Sequence, residues 1–249
     1  MPVRVTVSIA CAGEAVDFGP VIYEVLGRHG LAPQSISTVD EDRIPISGPT
    51  DFVSNWAIQR DVLMPEDGSI RRQTYGSEWS RRTAPQGWGR IAHRLTNTKG
   101  RVKLGRVTLD HTYSPKVDWK AAFIDLCTAI NPLEGTLDVF RPKTSGALGY
   151  VMGYPLFATD SPPANDTLPQ VDAAPWGTLN RMAWGLWLGD AWTDDRRGAF
   201  AEHMIESDGL LHLTDQVPKD PETLTGQKAA IVATCPHLFN AHPRYQGFP

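Results

Sequence analysis

The stretch Met182-Ala-Trp-Gly-Leu-Trp-Leu-Gly-Asp-Ala-Trp192 constrains the fold most. Trp184, Leu186 and Leu188 alternate along it, the period of a strand with a buried face. The run breaks at Thr193-Asp194-Asp195. A threonine followed by two aspartates suits a helix start, because acidic side chains complement the amino-terminal dipole. None of the residues from 182 to 192 suggests a catalytic role. The segment speaks for a buried architecture and not for a reaction.

Other elements follow from the same reasoning. Val3, Val5, Val7 and Ile9 share one face of a strand, and Arg4, Thr6 and Ser8 the other. Gly19-Pro20 opens a helix with Ile22, Val25 and Leu26 on one stripe and Gly30 as its stop. Trp119, Phe123, Leu126, Cys127 and Ile130 mark a helix over 117–130, closed by Asn131-Pro132. Residues 40–51 read as loop and 56–63 as a short helix ended by Pro65. Glu66-Asp-Gly-Ser69 is a turn signal. A change of phase at Gly105 predicts a bulge in a strand that starts near Arg101. Strands are expected at 135–140, 146–152, 182–189, 210–213 and 229–233, with a long connection over 159–177. Phe200 and Met204 share a stripe after Thr193.

The expected fold is α+β: a mainly antiparallel twisted sheet with helices packed on one face. It is a single domain over 1–249, with two similar lobes dividing near 112–116 as the alternative.

Composition excludes some classes. A net charge of −4 favours neither bulk nucleic-acid binding nor membrane association. Residues 60–106 hold eleven Lys/Arg against four Asp/Glu, so this segment is +7 and the remainder −11. No apolar run approaches the ~20 residues that span a bilayer. The amino-terminal alternation differs from the continuous apolar core of a signal peptide. The three cysteines are odd in number and scattered, which speaks against a disulfide framework. A reduced, cytoplasmic protein is expected.

Motifs for chemistry are sparse. Gly87-Trp-Gly89 and Gly146-Ala-Leu-Gly149 fit neither a phosphate loop nor a dinucleotide fingerprint. Cys235, His237 and His242 carry ligand atoms that could hold zinc, and a metal-dependent enzyme built on them is one alternative. Their spacing matches no common scheme, so no metal or cofactor is expected. Asp110 and His111 adjoin on a strand and so point to opposite faces. Cys127 belongs to a helix core, and Cys11 is expected to be partly exposed. The basic segment 71–106 interleaves Trp79 and Trp88 with arginines. That pattern can hold single-stranded nucleic acid by stacking and phosphate pairing, a second alternative. Solvated arginines around partly buried tryptophans explain it as well.

Two blocks resemble a family of bacterial immunity proteins, which neutralise toxins delivered by type VI secretion and related contact-dependent systems. The first is Asp118-Trp-Lys-Ala-Ala-Phe-Ile-Asp-Leu-Cys-Thr-Ala-Ile-Asn-Pro132 leading into Glu134-Gly-Thr-Leu-Asp-Val139. The second is Trp184-Gly-Leu-Trp-Leu-Gly189, an acidic-capped helix, Leu224-Thr-Gly-Gln-Lys-Ala-Ala-Ile-Val232 and the segment 236–248. The resemblance covers roughly half of the chain and carries over no catalytic residue. It implies a binding protein that is not an enzyme and that occludes the active site of a cognate toxin. A nuclease toxin would meet acidic residues that mimic phosphate. Candidate contacts are Asp40, Glu41, Asp42, Trp187, Asp190, Trp192, Asp194 and Asp195.

Overall fold

The computed structural model describes residues 2–11, 18–65, 67–93, 95–96, 102–103, 105–141, 150–151, 154–155, 179, 182–190 and 192–239. The elements run in the order β1 (Arg4–Cys11), α1 (Gly19–Arg28), β2 (Ser35–Ser37), β3 (Ile44–Pro45), α2 (Pro49–Trp56), β4 (Ile58–Leu63) and β5 (Ile70–Tyr75). Next come β6 (Glu78–Arg81), β7 (Gly87–Ala92), β8 (Leu95–Thr96), β9 (Val102–Lys103), β10 (Gly105–Thr112), α3 (Trp119–Ile130) and β11 (Glu134–Phe140). The chain continues through β12 (Tyr150–Val151), β13 (Tyr154–Pro155), β14 (Gly185–Leu188), α4 (Asp194–Ala201), β15 (Ile205–Ser207), β16 (Leu210–His212) and α5 (Thr225–Thr234).

Ten strands form one sheet in the order β15-β16-β14-β11-β1-β10-β7-β6-β2-β3. Every neighbouring pair is antiparallel. The fold is therefore α+β with a large antiparallel sheet. The sheet runs unbroken across the 112–116 connection, because β1 pairs with β10 on one side and β11 on the other.

One face of the sheet is apolar. Val5, Val7 and Ile9 align with Leu109 and Val107 of β10 and with Val139 and Leu137 of β11. Ile22, Val25 and Leu26 of α1 and Phe123, Leu126 and Cys127 of α3 are buried in the same core. Asp118 caps α3 by accepting the Ala121 amide at 3.0 Å, and Asn131 ends it in the left-handed region at φ 48°. Phe52 and Trp56 of α2 meet Trp79 of β6 with ring centroids 5.4 and 5.5 Å apart. Gly89 makes that contact feasible, since a Cβ there would fall 2.2 Å from the Trp79 ring.

Several expectations are corrected. The 56–63 segment is not a helix: α2 ends at Trp56 and β4 follows. The 229–233 segment is not a strand but the middle of α5. The phase change at Gly105 is no bulge within one strand. Val102–Lys103 pairs with Leu95–Thr96 as a separate hairpin, and Gly105 begins the central strand β10. Residues 40–51 are loop only in part, since they include β3 and the start of α2. Thr193 precedes α4 but makes no side-chain capping bond; its carbonyl accepts the Arg196 and Arg197 amides. The 159–177 connection and most of 146–152 lie outside the described residues. Among the described residues no helix is long and apolar enough to cross a membrane.

Candidate functional site

Antiparallel pairing fixes which connections share an end of the sheet. Strands β1, β7, β2 and β14 finish at one end, and β10, β6, β3 and β11 begin there. The β2–β3 turn, the β4–β5 hairpin, the β8–β9 hairpin and the β14–α4 loop therefore all emerge at that end. Loops grouped on a rigid sheet are a common platform for recognition.

Both acidic clusters predicted from sequence lie here. Asp40, Glu41 and Asp42 are exposed in the β2–β3 turn, which Thr38 organises by accepting the Asp40 and Glu41 amides at 3.2 and 3.1 Å. Asp40 is ion-paired with Arg60 of β4. Asp190, Asp194 and Asp195 are exposed after β14. Arg197 holds that loop in place, donating to the Gly189 carbonyl at 2.7 Å and the Trp192 carbonyl at 3.3 Å. Trp187 is half-buried and lies over Gly209. Trp192 is only 4% exposed and packs against Phe200, so it supports the loop from beneath and offers no surface anchor. Six strand spacings separate β2 from β14, roughly 29 Å. A standard interface of ~800 Å² per partner, about 32 Å across as a disc, can reach both clusters.

Among the described residues of the basic segment 71–106, several arginines are tied to carboxylates or to the backbone. Arg71 pairs with Asp67 at 2.8 Å, Arg72 with Asp61 at 3.1 Å and Arg90 with Glu78 at 3.6 Å. Arg81 donates to the Ala32 and Ala84 carbonyls, and Arg106 reaches inward to Ser8 at 2.7 Å. Trp79 is buried and cannot stack on a base. Of the two tryptophans on which the nucleic-acid reading of 71–106 rests, Trp79 is thus removed as a stacking platform, and Trp88 of β7 is half-buried.

No protein-family model matches the chain, and no curated protein matches it. Among solved structures, similar chains are found. One is described as Pseudomonas aeruginosa T6SS protein PA0821, with 10% identity and a TM-score of 0.48, over 96% of this chain and 76% of that one.

The sheet's second face carries buried polar groups. Asp110, Thr6 and Asp138 align across β10, β1 and β11, and all three are buried. Arg4 donates to Asp110 through Nε at 2.7 Å. Lys228 of α5 donates to Asp138 Oδ1 at 2.6 Å, which also accepts the Val139 and Trp184 amides. Burial outweighs the Arg4 charge and raises the Asp110 carboxyl to about 6. Thr6 Oγ1 and Asp110 Oδ2 have no hydrogen-bond partner. The sequence signal was available: Asp110 and Asp138 sit mid-strand among β-branched residues, where an aspartate is disfavoured.

Four of the remaining chemical candidates, His111, Cys11, Cys127 and Cys235, are buried. His111 faces the apolar side, as the register requires, and burial lowers it to about 4, so it is neutral. Cys11 is 1% exposed, not partly exposed as expected, and burial pushes its thiol to about 12. Burial likewise raises Cys127. Cys235 is buried, with its thiol 3.9 Å from the Ala199 carbonyl. His237 is exposed on a 3₁₀ turn, and His242 lies outside the described residues. Among the described residues no three metal-ligating side chains converge.

A histidine cluster went unnoticed in the sequence. Lys120 Nζ lies 2.9 Å and Ser207 Oγ 3.0 Å from His212 Nε2, while His212 Nδ1 lies 3.0 Å from the Thr214 carbonyl. An ammonium and a carbonyl have fixed roles, so Nδ1 carries the proton and Nε2 accepts. Burial and the Lys120 charge lower this histidine, and its acceptor nitrogen is already engaged. Contacts 92 residues apart are not legible in sequence spacing.

Proposed function

We propose that this chain is a cytoplasmic immunity protein that binds a cognate antibacterial toxin, occludes its active site and catalyses no reaction itself. One observation carries the reading. The acidic clusters Asp40–Asp42 and Asp190–Asp195, distant in sequence, emerge at the same end of one sheet. That end is a preformed face within the footprint of a single partner. The Arg197 bonds and the Thr38 turn stiffen it, which lowers the ordering cost of association. The sequence resemblance to immunity proteins supports the same conclusion. Exposed carboxylates suit a basic cleft such as that of a nuclease, and their field speeds capture.

The test is direct. The purified chain is mixed with the product of the neighbouring gene, and the two are run on a sizing column. The chain is also expressed in cells that carry the toxin. A stable complex and restored growth are expected. Separate elution together with no rescue ends the proposal.

A further inference from the structure

The β4–β5 hairpin is a two-stranded sheet of its own, outside the ten-stranded sheet. Its root is fixed. The Trp56 carbonyl, at the base of β4, lies 3.3 Å from Ser77 Oγ and 3.2 Å from His93 Nε2, both buried residues. Gly76, beside the base of β5, lets the chain pass close to β7, because a Cβ there would fall 1.8 Å from the Ile91 carbonyl oxygen. The shaft is stiffened by the cross-strand pair Arg72–Asp61, and the Arg60–Asp40 pair ties it to the β2–β3 turn. At its tip Leu63 and Ile70 are directly paired and are 64% and 72% exposed. Two neighbouring aliphatic side chains held in water on a rooted arm are unlike scattered surface apolar residues.

Resting on the immunity reading, we infer that this arm is the anchor of the complex: Leu63 and Ile70 enter a toxin cleft with an apolar floor and a basic rim. Three observations fix the occupant's chemistry. The described arginines of the arm are each paired with a carboxylate, so the arm brings no basic field of its own. Glu41 and Asp42 are exposed beside its base, with Asp190, Asp194 and Asp195 at the same end of the sheet. Those carboxylates complement a basic rim. The tip is convex and small, so tip-to-tip pairing of two copies buries far less than the ~1,200 Å² a stable interface needs. A concave partner instead surrounds both side chains, the geometry in which a few anchors dominate affinity.

The test uses the full chain and the purified product of the adjacent gene, with calorimetry for affinity and stopped-flow for association. Leu63→Ser with Ile70→Ser is expected to weaken the complex by roughly 100-fold or more with an unchanged melting temperature. Ile70→Thr alone keeps a β-branched residue in the strand and is expected to weaken it by about tenfold. Ile205→Ser, an exposed residue on β15, the edge strand across the sheet from β2 and β3, serves as the control and is expected to bind normally. Glu41→Gln with Asp42→Asn is expected to slow association and flatten its salt dependence. Wild-type affinity in both tip variants overturns the arm as anchor and leaves the immunity reading standing. Unchanged salt dependence overturns the basic rim. Failure of the wild-type chain to bind removes the immunity reading and the arm together.

Discussion

Lys228 Nζ lies 2.6 Å from Asp138 Oδ1, so a single ion pair clamps α5 onto the middle of β11. The carboxylate is 1% exposed and the ammonium 12%. In such a setting the pair gives little net stability over an apolar replacement, but removing Lys228 takes an ammonium away from a buried carboxylate. Lys228→Ala is therefore expected to cost about 3 kcal/mol in urea unfolding. Asp138→Asn combined with Lys228→Met is expected to recover most of that. A double variant as unstable as the single one means that the pair itself, and not the charge of the buried carboxylate, matters.

Asp110 sets a pH dependence of defined sign. Burial raises its carboxyl from 3.8 to about 6 in the folded state. Between those values the folded chain binds more protons than the unfolded chain, so stability falls as pH rises through that window. The loss reaches at most about 3 kcal/mol, because each tenfold change in proton affinity is worth about 1.4 kcal/mol. Comparing wild type with Asp110→Asn at pH 4 and pH 7 isolates it. The wild-type protein should be relatively more stable at pH 4, and an equal difference at both values refutes the assignment.

Gly76→Ala places a methyl group against the Ile91 carbonyl oxygen. The backbone must shift, at a cost of about 1–3 kcal/mol. Amide exchange should accelerate at Ser77 and Ile91, which are linked by the 3.0 Å bond from the Ile91 amide to the Ser77 carbonyl. Unchanged exchange there means that the root of the arm is loose enough to absorb a methyl group.

Cys235 packs as a small apolar residue against α4. Cys235→Ala is expected to cost about 1 kcal/mol. Dialysis against a chelator should leave the melting temperature unchanged. A drop of more than a few degrees on chelation establishes a structural metal and revives the Cys235–His237–His242 site.

Legibility in sequence followed burial asymmetry. Trp119 to Ile130 was readable because one face of α3 is buried and the other is wet. Ala229–Ala233 was misread because a short apolar run has no period that separates a strand from a helix. In the structure much of that helix is exposed. The β4–β5 arm was missed because both of its faces meet solvent, so neither alternates. Asp208-Gly209 was an overlooked hairpin signal: both residues have positive φ, at 52° and 79°, as a type I′ turn demands. Of the candidate contacts, Asp40 and Asp42 are exposed in a turn, and Asp194 and Asp195 lie in the first turn of α4, as the helix-start reading of Thr193-Asp194-Asp195 places them. Trp192 is instead buried, and its burial depends on Phe200, eight residues on.

The local pattern alone determined β1, β11 and β14 and the helices α1 and α3, because side-chain periods of 2 and 3.6 are set by backbone geometry. It also determined that charge is unevenly distributed along the chain. Where those charges meet was settled only by tertiary structure. Antiparallel register put Asp110, Thr6 and Asp138 in one row and sent the 38–43, 58–75 and 189–193 segments to a single end of the sheet. Strand order and pairing arise from contacts between residues far apart in the chain, and no short-range pattern records them.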